Sequence, residues 1–201
     1  MKKIDKSIAL AVLIGFLVGS VFVVGMRFIT YESDNVHYHA NFALYINGQR
    51  DDFKDLSFYE EVQACTDDSI DNPKSRTHMH NQQNDLVHIH AHSVTWGHFF
   101  ANLGYSLGNK QIQTDDGVFV DGKPGDLKFI LNGSEVDSVA NKVIESEDTL
   151  LIDYGNSNDE ELMERYENIN KSASEFNGKY DPSGCSGNES LSPIERLKLS
   201  I

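Results

Sequence analysis

The feature that most constrains the fold of this chain is a run of nineteen residues, 8–26, without a charged side chain. A helix rises by about 1.5 Å per residue, so a helix of this length covers the roughly 30 Å hydrocarbon core of a bilayer. We therefore predict that residues 1–30 form a short cytoplasmic stub followed by a single transmembrane helix.

The charges around this run predict its orientation. Three lysines precede it and only Arg27 follows it closely. Positive charge accumulates on the cytoplasmic side of membrane proteins, so we expect the N-terminus inside the cell and the rest of the chain outside the cell membrane. A cleaved signal peptide is the main alternative, but its apolar region usually has about 7–15 residues. Cleavage near Gly19-Ser20 would also leave apolar residues behind, which favours an uncleaved anchor.

Gly15 and Gly19 are spaced four residues apart in the predicted membrane helix. Small residues at this spacing let two membrane helices approach closely, so a homodimer through this pair is one expectation. The simpler interpretation, which we favour, is that glycine is common in membrane helices.

The charge of the chain is strongly asymmetric. Its formal net charge is −14, whereas residues 1–30 alone are positive. The remaining domain is therefore very acidic, repels nucleic-acid phosphates and attracts cations. We expect no nucleic-acid partner.

Hydrophobic periodicity predicts an α+β fold for the acidic domain. Residues 36–46 alternate between apolar and polar, which is typical of a half-buried strand, and Asn47-Gly48 predicts a hairpin turn. A second alternating strand is predicted at 86–91, and Thr95 is placed to cap a short apolar helix. Further strands are predicted at 127–131 and 149–154. This order favours a β-grasp-like (ubiquitin-like) domain, in which one helix packs across a mixed sheet.

The composition changes after residue 155. We predict a His-rich α+β domain over 31–155 and a C-terminal tail with short helices over 156–201, which wraps around the domain. One of these helices is predicted to begin at Ser192-Pro193, where serine is a favourable cap and proline a favourable first residue.

The chain has two cysteines, Cys65 and Cys185, and neither belongs to a Cys-x-x-Cys motif. No active site for thiol–disulfide exchange is therefore visible. Outside the cytoplasm an even pair of cysteines usually forms a structural bridge, so we predict a disulfide between them.

The histidines are the residues that indicate a possible binding site in this chain. The chain has eight histidines, and seven of them lie in His-x-His units. On a strand, residues i and i+2 project from the same face, so two imidazoles can turn toward one ion. We predict one site for a divalent transition metal, Zn or Cu, because imidazole suits both and no thiolate is nearby. The predicted ligands are His37, His39, His78, His80, His88 and His90.

The histidine pattern leaves alternatives open. A proton-sensing histidine face and a merely solvated face are both compatible with it. The leading function is a metal-binding protein for capture, buffering or delivery. A metalloenzyme with a three-histidine site and a non-metal surface interaction module are the alternatives. No catalytic residue is predicted, and the absence of hydrolase and phosphate-loop motifs favours a protein that is not an enzyme.

Several motifs together resemble one known family: His37-Tyr38-His39-Ala40-Asn41-Phe42, Ile46-Asn47-Gly48, His78-Met79-His80, Val87-His88-Ile89-His90, Thr95-Trp96-Gly97-His98-Phe99-Phe100 and Leu150-Leu151-Ile152-Asp153-Tyr154-Gly155. The combination resembles a family of membrane-anchored, histidine-rich proteins of small-genome bacteria and archaea, some of them labelled protein-disulfide isomerase. The resemblance covers roughly residues 36–187. It implies an anchored extracytoplasmic protein but no established activity, and this chain lacks the Cys-x-x-Cys that an isomerase would need.

Overall fold

A computed structural model describes residues 6–30, 36–60, 72–122, 124–178 and 192–200. The chain divides into two compact units, Met1–Asp34 with Glu189–Ile201, and Asn35–Asn188. Cys65 and Cys185 lie outside the described residues, so their disulfide stays a prediction.

The described elements combine five α-helices and ten strands, so the mixed α+β class is confirmed. The helices are α1 (Lys6–Thr30), α2 (Trp96–Asn102), α3 (Asp159–Glu167), α4 (Ala173–Asn177) and α5 (Pro193–Ser200). The strands are β1 (Tyr38–Ile46), β2 (Gln49–Arg50), β3 (Thr77–His78), β4 (Leu86–Ile89), β5 (Ser106–Leu107), β6 (Gln111–Thr114), β7 (Gly117–Val120), β8 (Asp126–Leu131), β9 (Ser134–Val136) and β10 (Thr149–Gly155). Two short 3₁₀ helices, Leu56–Phe58 and Pro73–Ser75, lie between β2 and β3.

In the first unit, α1 has 25 residues and none of them is buried. It is long and apolar enough to cross a membrane. Helix α5 begins as the sequence predicts, because Oγ and the backbone N–H of Ser192 both bond to the Glu195 carboxylate.

The second unit is built on a seven-stranded mixed sheet with the strand order β3-β4-β1-β10-β8-β9, to which β2 is added as a partner of β1. The central strands β1 and β10 are parallel, and the other pairs are antiparallel. Strands β5, β6 and β7 form a separate three-stranded sheet.

One face of the large sheet carries the main apolar core. Alternate residues of β1, among them Ala40, Phe42 and Leu44, are buried on this face, as the period of two predicts. The Phe42 ring lies 4.9 Å from that of Phe99 and 5.8 Å from that of Phe100, both in α2. Helix α2 therefore packs across this face of the sheet, and the predicted cap at Thr95 is present.

The predicted hairpin turn at Asn47-Gly48 is present, and Asn132-Gly133 forms a second turn of the same kind. Asn47 and Gly48 have φ values of 49° and 83°, and they join β1 to β2. Asn132 and Gly133 have φ values of 52° and 78°, and they join β8 to β9. Left-handed backbone at both central residues suits a two-residue hairpin, and asparagine followed by glycine tolerates it best.

The second face of the sheet is also covered, which corrects the expectation that β1 is only half-buried. Leu162 and Tyr166 of α3 pack with Ala43 and Leu151 on this face. Helix α4 is held beside β1 by Asn41, whose Oδ1 accepts a 2.8 Å hydrogen bond from the backbone N–H of Ala173. Helices α3 and α4 therefore cover the face from which the strand histidines project.

Candidate metal centre

The register of three neighbouring strands brings the histidines together. His39 of β1 is directly opposite His88 of β4, and His88 is directly opposite His78 of β3. Residues opposite one another in antiparallel strands point to the same face, and so do residues two positions apart. His37, His80 and His90 therefore join the same face from positions next to these strands.

Among the described residues, the six predicted ligands form two groups of three. His37, His39 and His88 make the first triad, and His78, His80 and His90 make the second triad. Within each triad the candidate ligand atoms lie within 4.8 Å of one another. The sequence predicts one converging site, whereas the imidazoles form two adjacent groups. Either triad could hold a metal ion.

One nitrogen–nitrogen distance in each triad approaches that expected around a metal ion. Nε2 of His39 lies 3.1 Å from Nδ1 of His88, and Nε2 of His78 lies 2.7 Å from Nε2 of His80. Two nitrogens bound at about 2.0–2.1 Å to a tetrahedral zinc ion would be about 3.3 Å apart. Because two lone pairs repel at such distances, each pair needs a proton or a cation between its nitrogens.

Hydrogen bonds outside the first triad fix the orientation of His39. Oδ1 of Asn177 in α4 accepts from the His39 backbone N–H at 2.9 Å and lies 2.8 Å from His39 Nδ1. The amide NH₂ of Asn177 donates to Ser146 and Glu147, so its oxygen is the atom that faces His39. Nδ1 of His39 must then carry the proton, which leaves the Nε2 lone pair for a ligand.

The second triad has an equivalent orienting contact. Nδ1 of His78 lies 2.5 Å from the backbone carbonyl oxygen of Lys74. A carbonyl only accepts, so Nδ1 of His78 donates and Nε2 presents its lone pair toward His80. A metal-binding histidine usually donates its second nitrogen to a carbonyl or carboxylate in this way.

The cluster is largely buried, and among the described residues it contains no acidic group. Five of the six side chains are between 1% and 8% exposed, and His90 is half-buried. Neither triad contains a carboxylate or thiolate from the described residues. Within the described part of the chain, Nε2 of His88 and Nε2 of His90 are buried without a hydrogen-bond partner. A buried polar atom without a partner is costly, and a bound ion would satisfy Nε2 of His90. It would not satisfy Nε2 of His88, because that ring turns its Nδ1 toward His39.

Burial also controls protonation. Desolvation, reinforced by the neighbouring imidazoles, lowers the pKa of His90 to about 2. The same causes hold the pKa of His88 far below its usual value. Both rings are therefore neutral at physiological pH, which is the form of imidazole that binds a metal.

The remaining histidines lie outside both triads. His92 is exposed. His98 is also exposed, and its Nδ1 accepts a 3.2 Å hydrogen bond from the Thr95 backbone N–H, completing the helix cap. Asn177 is not predicted from the sequence, because no local pattern links a residue in the tail to a histidine 138 positions earlier.

No protein-family model, curated protein sequence or solved structure matches this chain in the comparisons with known proteins. The family resemblance drawn from the motifs therefore stays a prediction.

Proposed function

We propose that this protein is a membrane-anchored, extracytoplasmic metal-binding protein that captures, buffers or delivers Zn or Cu. The observation that carries the proposal is the grouping of six imidazoles in two buried triads, each with a nitrogen held toward its neighbours by an outside hydrogen bond. Burying six imidazoles together has no apolar benefit, whereas a bound ion would satisfy their lone pairs.

The ligand set supports a borderline transition metal. Neutral imidazole binds Zn, Cu, Fe and Ni, and hard cations such as Mg prefer oxygen. Met79, which lies between two of the ligands in sequence, is fully buried in the apolar core and is not a thioether ligand here. With nitrogen ligands alone, affinity should increase along the series of divalent first-row metals and be highest for Cu²⁺.

A metalloenzyme is the second candidate, because each triad supplies three ligands and a tetrahedral ion would keep a fourth position for water. The burial of five of the six histidines limits the access of any substrate larger than a small molecule. This burial favours metal binding over catalysis. The convergence of the imidazoles likewise favours metal binding over a surface interaction module, in which they would be dispersed.

The anchoring part of the proposal rests on α1. Its 25 residues span about 37 Å as a helix, and its lysine-rich flank precedes it. On this proposal the second unit lies outside the cell. Protease added to intact cells should therefore degrade it, and complete protection would contradict the orientation.

The β-grasp identity is part of the same proposal. Its support is a mixed sheet with a parallel central pair, β1 and β10, and one helix, α2, packed across one face. This architecture by itself carries no function, so the functional proposal depends on the histidines alone.

The direct test uses the full chain in detergent micelles, freed of metal and titrated with Zn²⁺ and Cu²⁺ in a calorimeter. The test variant is His37→Ala/His39→Ala/His78→Ala/His80→Ala, and the matched control is the exposed His92→Ala. Fluorescence of the single, buried Trp96 reports whether each variant is folded. The wild type and the control should bind more tightly than about 10 μM, roughly −7 kcal/mol, and the test variant should not. Equal binding by wild type and test variant would contradict the proposal.

A further inference from the structure

We infer that the histidine cluster binds two metal ions at the same time, one in each triad, as a dinuclear centre. The inference rests on the proposed function and extends it from a site for one ion to a site for a pair. Its starting point is that the two triads share no residue, so filling one does not use up the ligands of the other.

Each triad has its own orienting partner. Asn177 holds His39 of the first triad from α4, and the Lys74 carbonyl holds His78 of the second triad from the 3₁₀ helix Pro73–Ser75. These contacts come from two segments that are far apart in the chain. Each triad therefore contains a histidine whose tautomer and ring orientation are fixed independently of the other triad.

One buried nitrogen of the second triad, Nε2 of His90, has no hydrogen-bond partner among the described residues. An ion in the first triad alone would leave this nitrogen unexplained, whereas an ion in the second triad would satisfy it.

The two triads are in direct contact. The ring centroids of His80 and His88 are 4.5 Å apart, and those of His37 and His90 are 4.8 Å apart with nearly parallel planes. These distances match those within a triad, such as 4.8 Å between His37 and His39. Two bound ions would therefore share one buried pocket and would not behave as independent sites.

The absence of acidic ligands among the described residues predicts how the second ion binds. Two cations in one buried, neutral shell repel each other, and this repulsion is weakly screened away from solvent. We therefore expect the second Zn²⁺ to bind at least about ten-fold more weakly than the first. With Cu⁺, which carries half the charge, the gap should be smaller.

The experiment measures metal content and titration of the full chain in detergent micelles. Two paired variants are compared with wild type: His37→Ala/His39→Ala for the first triad and His78→Ala/His80→Ala for the second. Wild type should hold two ions per chain, and each variant should hold one. The exposed His92→Ala serves as the control and should hold two. Where Trp96 fluorescence shows that a variant is misfolded, His39→Gln and His80→Gln replace the pairs.

Electron paramagnetic resonance of the Cu²⁺-loaded protein tests proximity. Each paired variant should give the signal of an isolated Cu²⁺, and wild type should show a broadened or reduced signal through spin coupling. One ion in wild type would overturn the dinuclear inference and leave the proposed function standing. Two ions with equal affinities and uncoupled signals would also overturn it. No ion in wild type would refute the proposed function itself.

Discussion

Asn177 offers a prediction that separates metal binding from mere packing of histidines. Its Oδ1 accepts the His39 backbone N–H at 2.9 Å and lies 2.8 Å from Nδ1 of the same ring. In Asn177→Ala, His39 loses the acceptor that fixes its tautomer and ring orientation. The ligand atom Nε2 of His39 is still present, but the ring is no longer held with this atom toward the ion.

The magnitude follows from known losses of such outer hydrogen bonds. Removing the partner of a metal-binding histidine typically lowers metal affinity by about 10–100-fold, or about 1.4–2.7 kcal/mol. The unpaired backbone N–H should also lower the free energy of unfolding by about 1–3 kcal/mol. Because Asn177 contacts the first triad, the ion held there should be affected most.

The assay is competitive titration of the full chain with a chromogenic chelator, paired with thermal unfolding. Asn177→Asp keeps an acceptor at the same position and should restore much of the lost affinity. The exposed Asn168, which follows α3, provides Asn168→Ala as the matched control. Unchanged affinity in Asn177→Ala, or an equal loss at both triads, would refute the reasoning.

Three further predictions test the fold and the protonation of the cluster. The pKa of His90 falls from 6.5 to about 2 on folding, so the metal-free unfolded chain takes up a proton below pH 6.5 that the folded chain does not. The free energy of unfolding of the metal-free protein should thus be highest above pH 7, and protonation of His90 in the unfolded chain should lower it by up to about 2 kcal/mol at pH 5. Chemical denaturation that gives the same free energy of unfolding at pH 5 and above pH 7 would contradict this. Gly97→Ala should lower the free energy of unfolding by about 1–2 kcal/mol, because a Cβ there would lie 2.7 Å from the Ala140 carbonyl oxygen. A melting temperature above that of the wild type would contradict this. Arg165→Ala should lower the free energy of unfolding, measured with urea, by about 3–5 kcal/mol, because it leaves the buried Asp153 carboxylate without its cation. The double variant Arg165→Ala/Asp153→Asn should recover part of this loss.

Local sequence patterns predict the parts of the fold that depend on local physics. The period of two in β1, the Asn-Gly turns and the Thr95 cap are all present, because each depends on residues a few positions apart. The three-stranded sheet β5-β6-β7 is absent from the sequence prediction. Its strands are two to four residues long and bury little apolar surface, so the alternating signal is weak.

In the candidate site, too, local patterns predict some features, whereas others depend on contacts between distant parts of the chain. The His-x-His spacing predicts which six imidazoles face one side of the sheet, and all six lie in the triads. Their separation into two groups depends on the register between β1, β4 and β3, which the pattern within one strand does not specify. The burial of the cluster depends on α4, which reaches β1 from more than 130 positions away through Asn41 and Ala173.

The central claim, that the buried histidines are metal ligands, is tested most directly by X-ray absorption at the metal edge of the Zn-loaded full chain. The account predicts a nearest shell of at least three nitrogens at about 2.0–2.1 Å, with the outer-shell scattering of imidazole rings. Loading after His37→Ala/His39→Ala/His78→Ala/His80→Ala should abolish that outer-shell scattering. A shell of oxygen or sulfur without imidazole scattering in wild type would show that the metal is bound elsewhere and would contradict the account.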